Sequence, residues 1–423
     1  MNQNYNRLKT AIQTGCCCIL FSACNLQAEK TSLRPIGNHQ NQDSIIVISQ
    51  HIEESFYRTN NCITINIPSN IEQAKEKDII EEYDFIRLET LDKCLISKIN
   101  KIIFKDDSFF IFDEDGNTAF RFSKAGKFLN CFGNKGRGPG EYTRITDLAV
   151  NNQKEVCLLD SYGYKLLYYN YDGELIREEP MYYQFNKIEF SGNKKILCTE
   201  LGGNSQVKGL KYHNILITND RQTPIKKGFR YEVNNEYSFV TKTPLLKYMD
   251  KIYSQHMLCD TIWSLNGTDW DAAYVIKSNH IKYPDRKEII KWNDNDVIEF
   301  TQKSKGSYTH NFVETKKHIC FSINENGMEI PLIYNKENGH VYCRNIVLGE
   351  NCDNMGNNLI CGSFDFALND NCFLNVISPY SVLKQKEYFY NKGITMAAKD
   401  QILAESITEE DNPILMVFTI KDF

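Results

Sequence analysis

The sequence is poor in the residue that most strongly interrupts β-strands, and it lacks the short motifs that mark common catalytic sites. Its 423 residues include only 10 prolines. It contains no CxxC pair, no HxH or HExxH motif, no phosphate loop and no GxSxG sequence. These absences argue against the zinc sites, P-loop nucleotide sites and serine hydrolase sites that such motifs identify.

The chain also lacks an excess of positive charge. The formal net charge is −5, whereas a nucleic-acid-binding protein normally presents a basic face, so we predict no nucleic-acid partner. Hydrophobic residues make up 42% and charged residues 24%, which are ordinary globular values. The 24 tyrosines and 24 phenylalanines favour β-structure.

The N-terminus is typical of an export signal. Arg7 and Lys9 precede an apolar stretch over residues 11–23, which is too short to span a bilayer, since about 20 residues are needed. The stretch ends in Leu20-Phe21-Ser22-Ala23-Cys24, which resembles a bacterial lipobox. We therefore predict a lipoprotein signal peptide over residues 1–23 and lipidation of Cys24, with an ordinary signal peptide as the alternative.

The resulting protein would be anchored by lipid in the cell envelope, and Asn25 after the cysteine weakly favours the outer membrane. Eleven cysteines remain in the mature chain, thinly spread and several within apolar runs such as Val156–Leu159. We interpret them as small buried side chains rather than as a disulfide framework.

Residues 24–60 are polar except for Ile45–Ile48, and we predict them to be a tether. Residues 61–94 are predicted to be an N-terminal extension containing a ring-closing strand. Within it, Ser69 and Glu72 fit a capping box for a short helix reaching about Ile80. Later, residues 284–305 are more helical than strand-like and predict a small helical insertion.

The rest of the chain, residues 95–423, contains an internal repeat of β-hairpins. Phe109–Asp113 aligns with Val156–Asp160 at an offset of 47 residues, and Gly116 aligns with Gly163. A period of about 40–50 residues with four short strands is the signature of propeller blades. The length predicts an all-β, six-bladed propeller of four-stranded antiparallel blades, with seven blades as the alternative. The last strand, Ile414–Phe418, is expected to pair with a strand near Phe85–Leu88 and close the ring.

Several segments resemble the six-bladed β-propeller lipoproteins of Gram-negative gut bacteria, and the repeats are also similar to NHL-type propellers. These segments are Leu88–Thr90, Cys94–Ile96, Ile111–Asp113, Gly133–Tyr142, Asp260–Trp263 and Phe312–Thr315. The resemblance implies the propeller fold and export. It implies no particular reaction, because that family has no settled chemistry.

The loop Gly136–Tyr142 is the sharpest local feature. Its glycines and Pro139 suit a rigid link between blades, which is the simpler interpretation. The functional hypothesis is that Arg137, Glu141 and Tyr142 bind a polar or anionic ligand at a channel mouth. Asp113–Asn117 faintly resembles a calcium loop, but a β-turn is the preferred interpretation.

Two functions from different classes remain open. The preferred one is a non-catalytic, membrane-anchored binding protein, monomeric, that holds a small polar ligand or an envelope protein at the channel mouth. The alternative is a metal-dependent lyase or lactonase-like hydrolase in the central channel. No catalytic residue and no cofactor is predicted from the sequence, although histidines from different blades leave a channel metal ion open.

Overall fold

The computed structural model describes most of the chain after residue 50. The described ranges are 51–69, 72–74, 79–199, 209–230, 240–256, 259–278, 308–325, 328–344 and 364–421, with the single positions 204, 207, 283, 288, 291, 292, 296, 299 and 300. The predicted signal peptide and the lipidation site Cys24 therefore lie outside the described residues.

The described strands form a six-bladed β-propeller, as predicted. The first three blades are antiparallel four-stranded meanders. Blade 1 contains β6 (Ile99–Lys105), β7 (Ser108–Asp113), β8 (Thr118–Ser123) and β9 (Phe128–Cys131); blade 2 contains β12 (Ile145–Val150), β13 (Val156–Asp160), β14 (Lys165–Tyr169) and β15 (Leu175–Pro180); blade 3 contains β16 (Lys187–Ser191), β17 (Lys194–Cys198), β18 (His213–Asn219) and β19 (Pro224–Arg230).

The other three blades have the same order, but the last one takes its outer strand from the start of the chain. Blade 4 contains β20 (Val240–Tyr248), β21 (Lys251–His256), β22 (Thr261–Asn266) and β23 (Asp269–Ser278); blade 5 contains β24 (Tyr308–Glu314), β25 (His318–Glu325), β26 (Met328–Asn335) and β27 (Val341–Arg344); blade 6 contains β28 (Phe366–Ala367), β29 (Cys372–Ile377), β30 (Ile414–Ile420) and β5 (Ile80–Arg87).

Each interface between neighbouring blades has its own apolar core. The six clusters of buried hydrophobic residues correspond one to one with the six interfaces around the ring. The cluster between blades 6 and 1, for example, joins Leu374 and Leu415 to Phe109 and Ile111. Each of these sheets has two apolar faces, and the closed ring of blades buries both.

The sequence repeat corresponds to a repeated turn. Asp113 and Asp160 end the second strands of blades 1 and 2 and are fully buried. The carboxylate of Asp113 accepts hydrogen bonds from the main-chain N–H groups of Ser97 (2.6 Å) and Gly116 (2.8 Å). A Cβ atom on Gly116 would lie 2.5 Å from Oδ2 of Asp113, which explains the glycine. Asp113–Asn117 is therefore a β-turn, as preferred.

The ring closes between the two ends of the chain, which confirms the predicted pairing. β30 pairs antiparallel with β5, with Ile414 opposite Arg87, Leu415 opposite Ile86 and Met416 opposite Phe85. β30 thus lies between β29, which precedes it in the chain, and a strand that belongs to the N-terminal part of the sequence.

The predicted tether over residues 24–60 is not a tether along its whole length, because its last part contains strands. The strands β1 (Glu53–Glu54), β2 (Tyr57–Arg58), β3 (Ile63–Ile67) and β4 (Glu72–Ala74) run along the outside of blades 3, 4 and 5. Each pairs in parallel with the outermost strand of its blade: β1 with β19, β2 and β3 with β23, and β4 with β27. We call these four strands the N-terminal strap.

Two expectations for this segment are therefore wrong. Residues 53–58 are paired strands because outer-edge N–H and C=O groups of blades 3 and 4 offer them partners. Glu72–Ala74 is a strand rather than the start of a helix, because pairing with Val341–Arg344 outweighs the local capping signal. Positions 75–78 lie outside the described residues, and Ile79, directly before β5, is helical.

Two insertions in the ring contain helical residues. In the predicted insertion at 284–305, the described positions Glu288, Asp296, Glu299 and Phe300 are helical, as expected. Sequence analysis missed a helical hairpin within blade 6, formed by α1 (Pro379–Lys392) and α2 (Ala398–Ser406) between β29 and β30. In the part of the chain that the structure describes, no helix is both long and apolar enough to cross a membrane.

A single large-to-small substitution tests how far the closing strand supports the ring. Leu415 is fully buried between blades 6 and 1, so Leu415→Ala should lower the free energy of unfolding by about 2–5 kcal/mol. The matched control is Ile402→Ala on α2, where the side chain is 67% exposed and the change should stay within about 0.5 kcal/mol. Urea unfolding followed by tryptophan fluorescence measures both; equal effects would contradict closure by β30.

Candidate functional site

A cavity of about 630 Å³ lies where the inner strands of all six blades meet. Its wall is formed by β6, β12, β16, β20, β24 and β28 and the residues next to them. Cavities of this size are typical of small-molecule sites. The charged side chains that matter below are Lys101, Lys105, Asp147, Lys187, Glu189 and Lys247.

Four lysines on these inner strands connect one blade to the next. A charged group in a partly desolvated wall needs partners, and each lysine finds them across an interface. Lys101 reaches two carboxylates, described next. The other three donate from Nζ to main-chain oxygens: Lys105 to Asn151 at 2.9 Å, Lys187 to Thr146 at 3.1 Å and Lys247 to Phe190 at 2.9 Å.

Lys101 of blade 1 joins the first three blades. Its Nζ lies 3.1 Å from Oδ1 of Asp147 in blade 2 and 2.8 Å from Oε1 of Glu189 in blade 3. Both carboxylates are almost fully buried. Burial by itself would lower the pKa of Lys101, but the two carboxylates raise it above its usual value. The lysine is therefore charged, and its main effect is to neutralise two buried anions.

The same positions recur in the repeat, which explains how the sequence places them. Lys101 lies opposite Phe112 and Asp147 lies opposite Leu159 in the two equivalent hairpins. In both blades the register shifts just before this position, after the first residue of the inner strand. A charged residue at this position of the largely apolar first strand was the signal that could have identified the channel wall.

Lys105 and Lys247 form one mouth of the channel, at the ends of β6 and β20. They come from blades 1 and 4, which are opposite each other in the ring. The side chain of Lys105 extends to blade 2, where it bonds to Asn151, and that of Lys247 extends to blade 3, where it bonds to Phe190. Burial and, after it, the positive charge of Lys247 lower the pKa of Lys105.

The same mouth also carries hydrogen-bond acceptors. Asn152, Asp250, Asn369 and Asp370 line it, and Asp250 partly offsets the effect of Lys247 on Lys105. Apolar side chains such as Phe104 and Leu368 complete the wall. The mouth can therefore hold one anionic group between the lysines and accept hydrogen bonds from the rest of a ligand.

The loop singled out in the sequence lies elsewhere. Its short strands β10 (Asn134–Lys135) and β11 (Glu141–Tyr142) pair in parallel between blades 1 and 2. Gly140, at φ 73°, approaches the Leu175 side chain and donates its N–H to Glu178, both on the outermost strand of blade 2. The loop therefore fills the outer gap between two blades, as the simpler interpretation of a blade-to-blade link expected.

The three candidate residues of this loop are not among those that line the channel. Tyr142 is 2% exposed, and burial raises its pKa to about 12, so its ring is not available to stack on a ligand. Glu141 accepts the N–H of Gly138 at 2.7 Å within the loop. Arg137 is exposed, so it can contact solvent or a partner on the outer wall.

A second cavity of about 570 Å³ lies between blades 2 and 3. Arg177 lies on the Tyr168 ring, 3.8 Å from its centroid, and pairs with Glu155 at 2.6 Å and Glu179 at 3.1 Å. Lys195, which is 3% exposed, pairs with Glu179 at 2.6 Å. These charges already satisfy one another, so the network holds two blades together and offers less to a ligand than the channel does.

A family model described as "Domain of unknown function (DUF4934)" matches residues 62–419. The chain belongs to the DUF4934 family. This match covers the strap from β3 onward and all six blades. No curated protein matches the chain.

Among solved structures, this DUF4934 protein is similar to a protein of Bacteroides fragilis NCTC 9343 that is described as exported. The TM-score is 0.72 at 20% identity, over 86% of this chain and 100% of that one. A member of the DUF4221 family from Bacteroides vulgatus ATCC 8482 gives 0.45 at 9% identity, over 82% and 99%. The predicted resemblance to a propeller family of gut bacteria is confirmed by the family match and the shared fold.

In the described part of this DUF4934 protein, no three His, Cys, Asp or Glu side chains are placed to hold a metal ion. His213 instead bonds to Glu54 of the strap at 2.8 Å, and burial lowers its pKa. None of the nine described cysteines forms a disulfide, and five of them are buried. Those five are the small buried side chains that the sequence predicted.

Removing Lys101 should expose its structural role in the channel. Lys101→Gln leaves Asp147 and Glu189 as buried charges without their cation, which should lower the free energy of unfolding by about 3 kcal/mol, as measured by urea unfolding. Adding Asp147→Asn and Glu189→Gln to the same chain should restore most of that loss, because no buried charge then remains unpaired.

Lys98→Gln is the matched control for this series. Lys98 directly precedes β6 in the same blade, and its side chain is exposed. Its substitution should therefore change the free energy of unfolding by less than about 0.5 kcal/mol. A Lys101→Gln variant as stable as this control would show that the two carboxylates do not depend on Lys101.

Proposed function

We propose that this protein is a non-catalytic binding protein of the cell envelope that holds a small ligand with an anionic group at the channel mouth. The observation that carries the proposal is that Lys105 and Lys247, at the ends of β6 and β20 in opposite blades, both line the channel. The positive charge of Lys247 also lowers the pKa of Lys105. Two like charges held close together are relieved by an anion placed between them.

The lysines retain donors for such a ligand. An ammonium group has three N–H donors, and Lys247 uses one of them on the carbonyl oxygen of Phe190. Lys105 bonds to the carbonyl oxygen of Asn151 and, at 3.4 Å, to the side-chain oxygen of Asn152. A carboxylate that bridged both ammonium groups would gain charge-assisted hydrogen bonds, which are the strong ones.

The other groups of the mouth restrict the ligand further. Asp250 and Asp370 would repel a polyanion but accept hydrogen bonds from hydroxyl or ammonium groups. The apolar side chains of Phe104 and Leu368 suit a compact carbon skeleton. The ligand class that fits best is a small hydroxylated or amino acid with a single carboxylate.

A pair of related sugars tests this site. Glucuronate carries a carboxylate and hydroxyl groups, whereas glucose lacks the carboxylate, so calorimetric titration should detect binding of glucuronate alone. Lys247→Gln should weaken that binding about tenfold or more, because a hydrogen bond to a charged group contributes about 1.5–3 kcal/mol.

Two variants serve as controls. Lys124→Gln removes the same charge from an exposed lysine that pairs with Asp107, and Arg137→Ala removes the candidate residue of the loop between blades 1 and 2. Both should bind glucuronate like the unmodified protein. Loss of glucuronate binding in Arg137→Ala, with binding by Lys247→Gln unaffected, would place the site at the loop instead. If glucose bound as tightly as glucuronate, the role of the lysine pair would be contradicted.

We further propose that the protein is held at the membrane, in the outer membrane of the envelope, by lipid on Cys24. The support is the basic start, the short apolar stretch and the Leu20–Cys24 sequence. The similar Bacteroides fragilis protein is described as exported, and we carry export over to this chain as part of the proposal.

Substitution of the acyl acceptor tests the anchor. Cys24→Ser removes the only thiol in the Leu20–Cys24 sequence, so the protein should incorporate no labelled fatty acid and should leave the membrane fraction. Cys62→Ser is the matched control, since Cys62 lies beyond the proposed anchor, and it should remain lipidated. Unchanged labelling of Cys24→Ser would refute the lipobox interpretation.

A further inference from the structure

The cavity between blades 2 and 3 lies directly beside the channel mouth. Lys105 donates a hydrogen bond to the main-chain oxygen of Asn151 at 2.9 Å. Lys247 does the same to the main-chain oxygen of Phe190 at 2.9 Å. Asn151 and Phe190 also line the cavity between blades 2 and 3. One residue therefore connects each mouth lysine to the wall of this second cavity, and a ligand held by the lysines has the cavity as its neighbour.

Both cavities open on the same face of the ring. The channel mouth lies where the inner strands β6 and β20 end, and the turns that directly follow the inner strands β12 and β16 line the second cavity. Because these blades all begin with their inner strand, the ends of those strands share one face. In the turns, Gln153, Gly192 and Asn193 are exposed, so the second cavity is accessible from solvent.

The charges of the second cavity balance one another. Three cationic and three anionic side chains line it: Arg177, Lys195, Arg221, Glu155, Glu179 and Asp220. A wall without net charge gains little from a second ion, whereas its polar groups can still exchange hydrogen bonds with hydroxyl groups. The second cavity therefore suits an uncharged, hydroxylated unit, in contrast to the lysines at the channel mouth.

Arg177 keeps donors for such a unit. A guanidinium group has five N–H donors, and the contacts with Glu179 and Glu155 use Nε and Nη1. The Arg177 side chain is 39% exposed and lies on the ring of Tyr168, which fixes its orientation. Tyr182 adds a second aromatic ring to the wall. Directional N–H groups beside aromatic rings suit the polar edge and the apolar face of a sugar.

We propose that the cavity between blades 2 and 3 is a second subsite for the ligand of the channel mouth, and that it takes an uncharged sugar joined to the acidic unit. This inference rests on the ligand site proposed for Lys105 and Lys247, and it narrows the ligand to a saccharide of at least two units. The carboxylate of one unit contacts the lysines, and the hydroxyl groups of the next unit contact Arg177. Joining the two units makes the second contact intramolecular, so it adds to the affinity.

Calorimetric titration with three sugars tests the second subsite. Glucuronate fills the channel mouth alone, a disaccharide of glucuronate linked to glucose fills both subsites, and cellobiose is a disaccharide without a carboxylate. The acidic disaccharide should bind the unmodified protein about tenfold more tightly than glucuronate. Cellobiose should bind more weakly than the acidic disaccharide, because it lacks the group that the lysines hold.

Two variants and a matched control locate the gain. Arg177→Lys keeps the positive charge between the glutamates but loses the planar set of donors, so the ratio of the two affinities should fall from about ten to about one. Asn193→Trp places a large side chain at the rim of the cavity without touching its charges and should lower the ratio in the same way. Arg144→Lys is the control, because Arg144 lies over the Tyr162 ring at 5.2 Å and lines neither cavity, and it should keep the ratio of the unmodified protein.

The outcomes separate this inference from the channel site. If the unmodified protein bound glucuronate and the acidic disaccharide equally well, the second subsite would be overturned and the channel site would stand. If it bound neither, both would be overturned. A ratio that stayed near ten in Arg177→Lys and also in Asn193→Trp would overturn the second subsite too, because the gain would then arise outside this cavity.

Discussion

Burial of both faces of every blade is the constraint on which the rest of this structure depends. The six apolar clusters lie between blades rather than within them, so no blade is complete without two neighbours. Fully buried residues such as Phe109 and Leu415 contribute to one blade and stabilise another. Stability is therefore a property of the closed ring, and a defect at one interface weakens all of them.

The inner strands differ from the blade interfaces because they carry charged side chains. These charges line the channel and need partners in a confined space. Lys101, Lys187 and Lys247 meet this requirement by reaching across to the neighbouring blade. The same inner strands place Lys105 and Lys247 in the wall of one cavity, so the proposed ligand site is a consequence of how the wall is connected.

The fold was predictable where the repeat is local. Asp113 and Asp160 with their glycines mark equivalent turns, and the pairing of Ile414–Phe418 with the start of the chain follows from the need to remove open edges. The strap was not predictable, because Glu53–Glu54 and Glu72–Ala74 are strands only through edges that other blades supply. The channel lysines were missed for a similar reason, because their importance depends on which inner strands face one another. The glycine-rich loop, in contrast, is conspicuous in the sequence but lies at the periphery of the structure.

The position of β5 has a consequence for the order in which this molecule can be completed. β5 is made early, yet its partner in blade 6 is β30, the last of the described strands. A ribosome or a translocation channel releases the N-terminus first, so a nascent chain carries β5 without its partner until β30 emerges. A prematurely terminated product would keep that edge exposed, which makes an incomplete molecule distinguishable from a finished one by its surface alone.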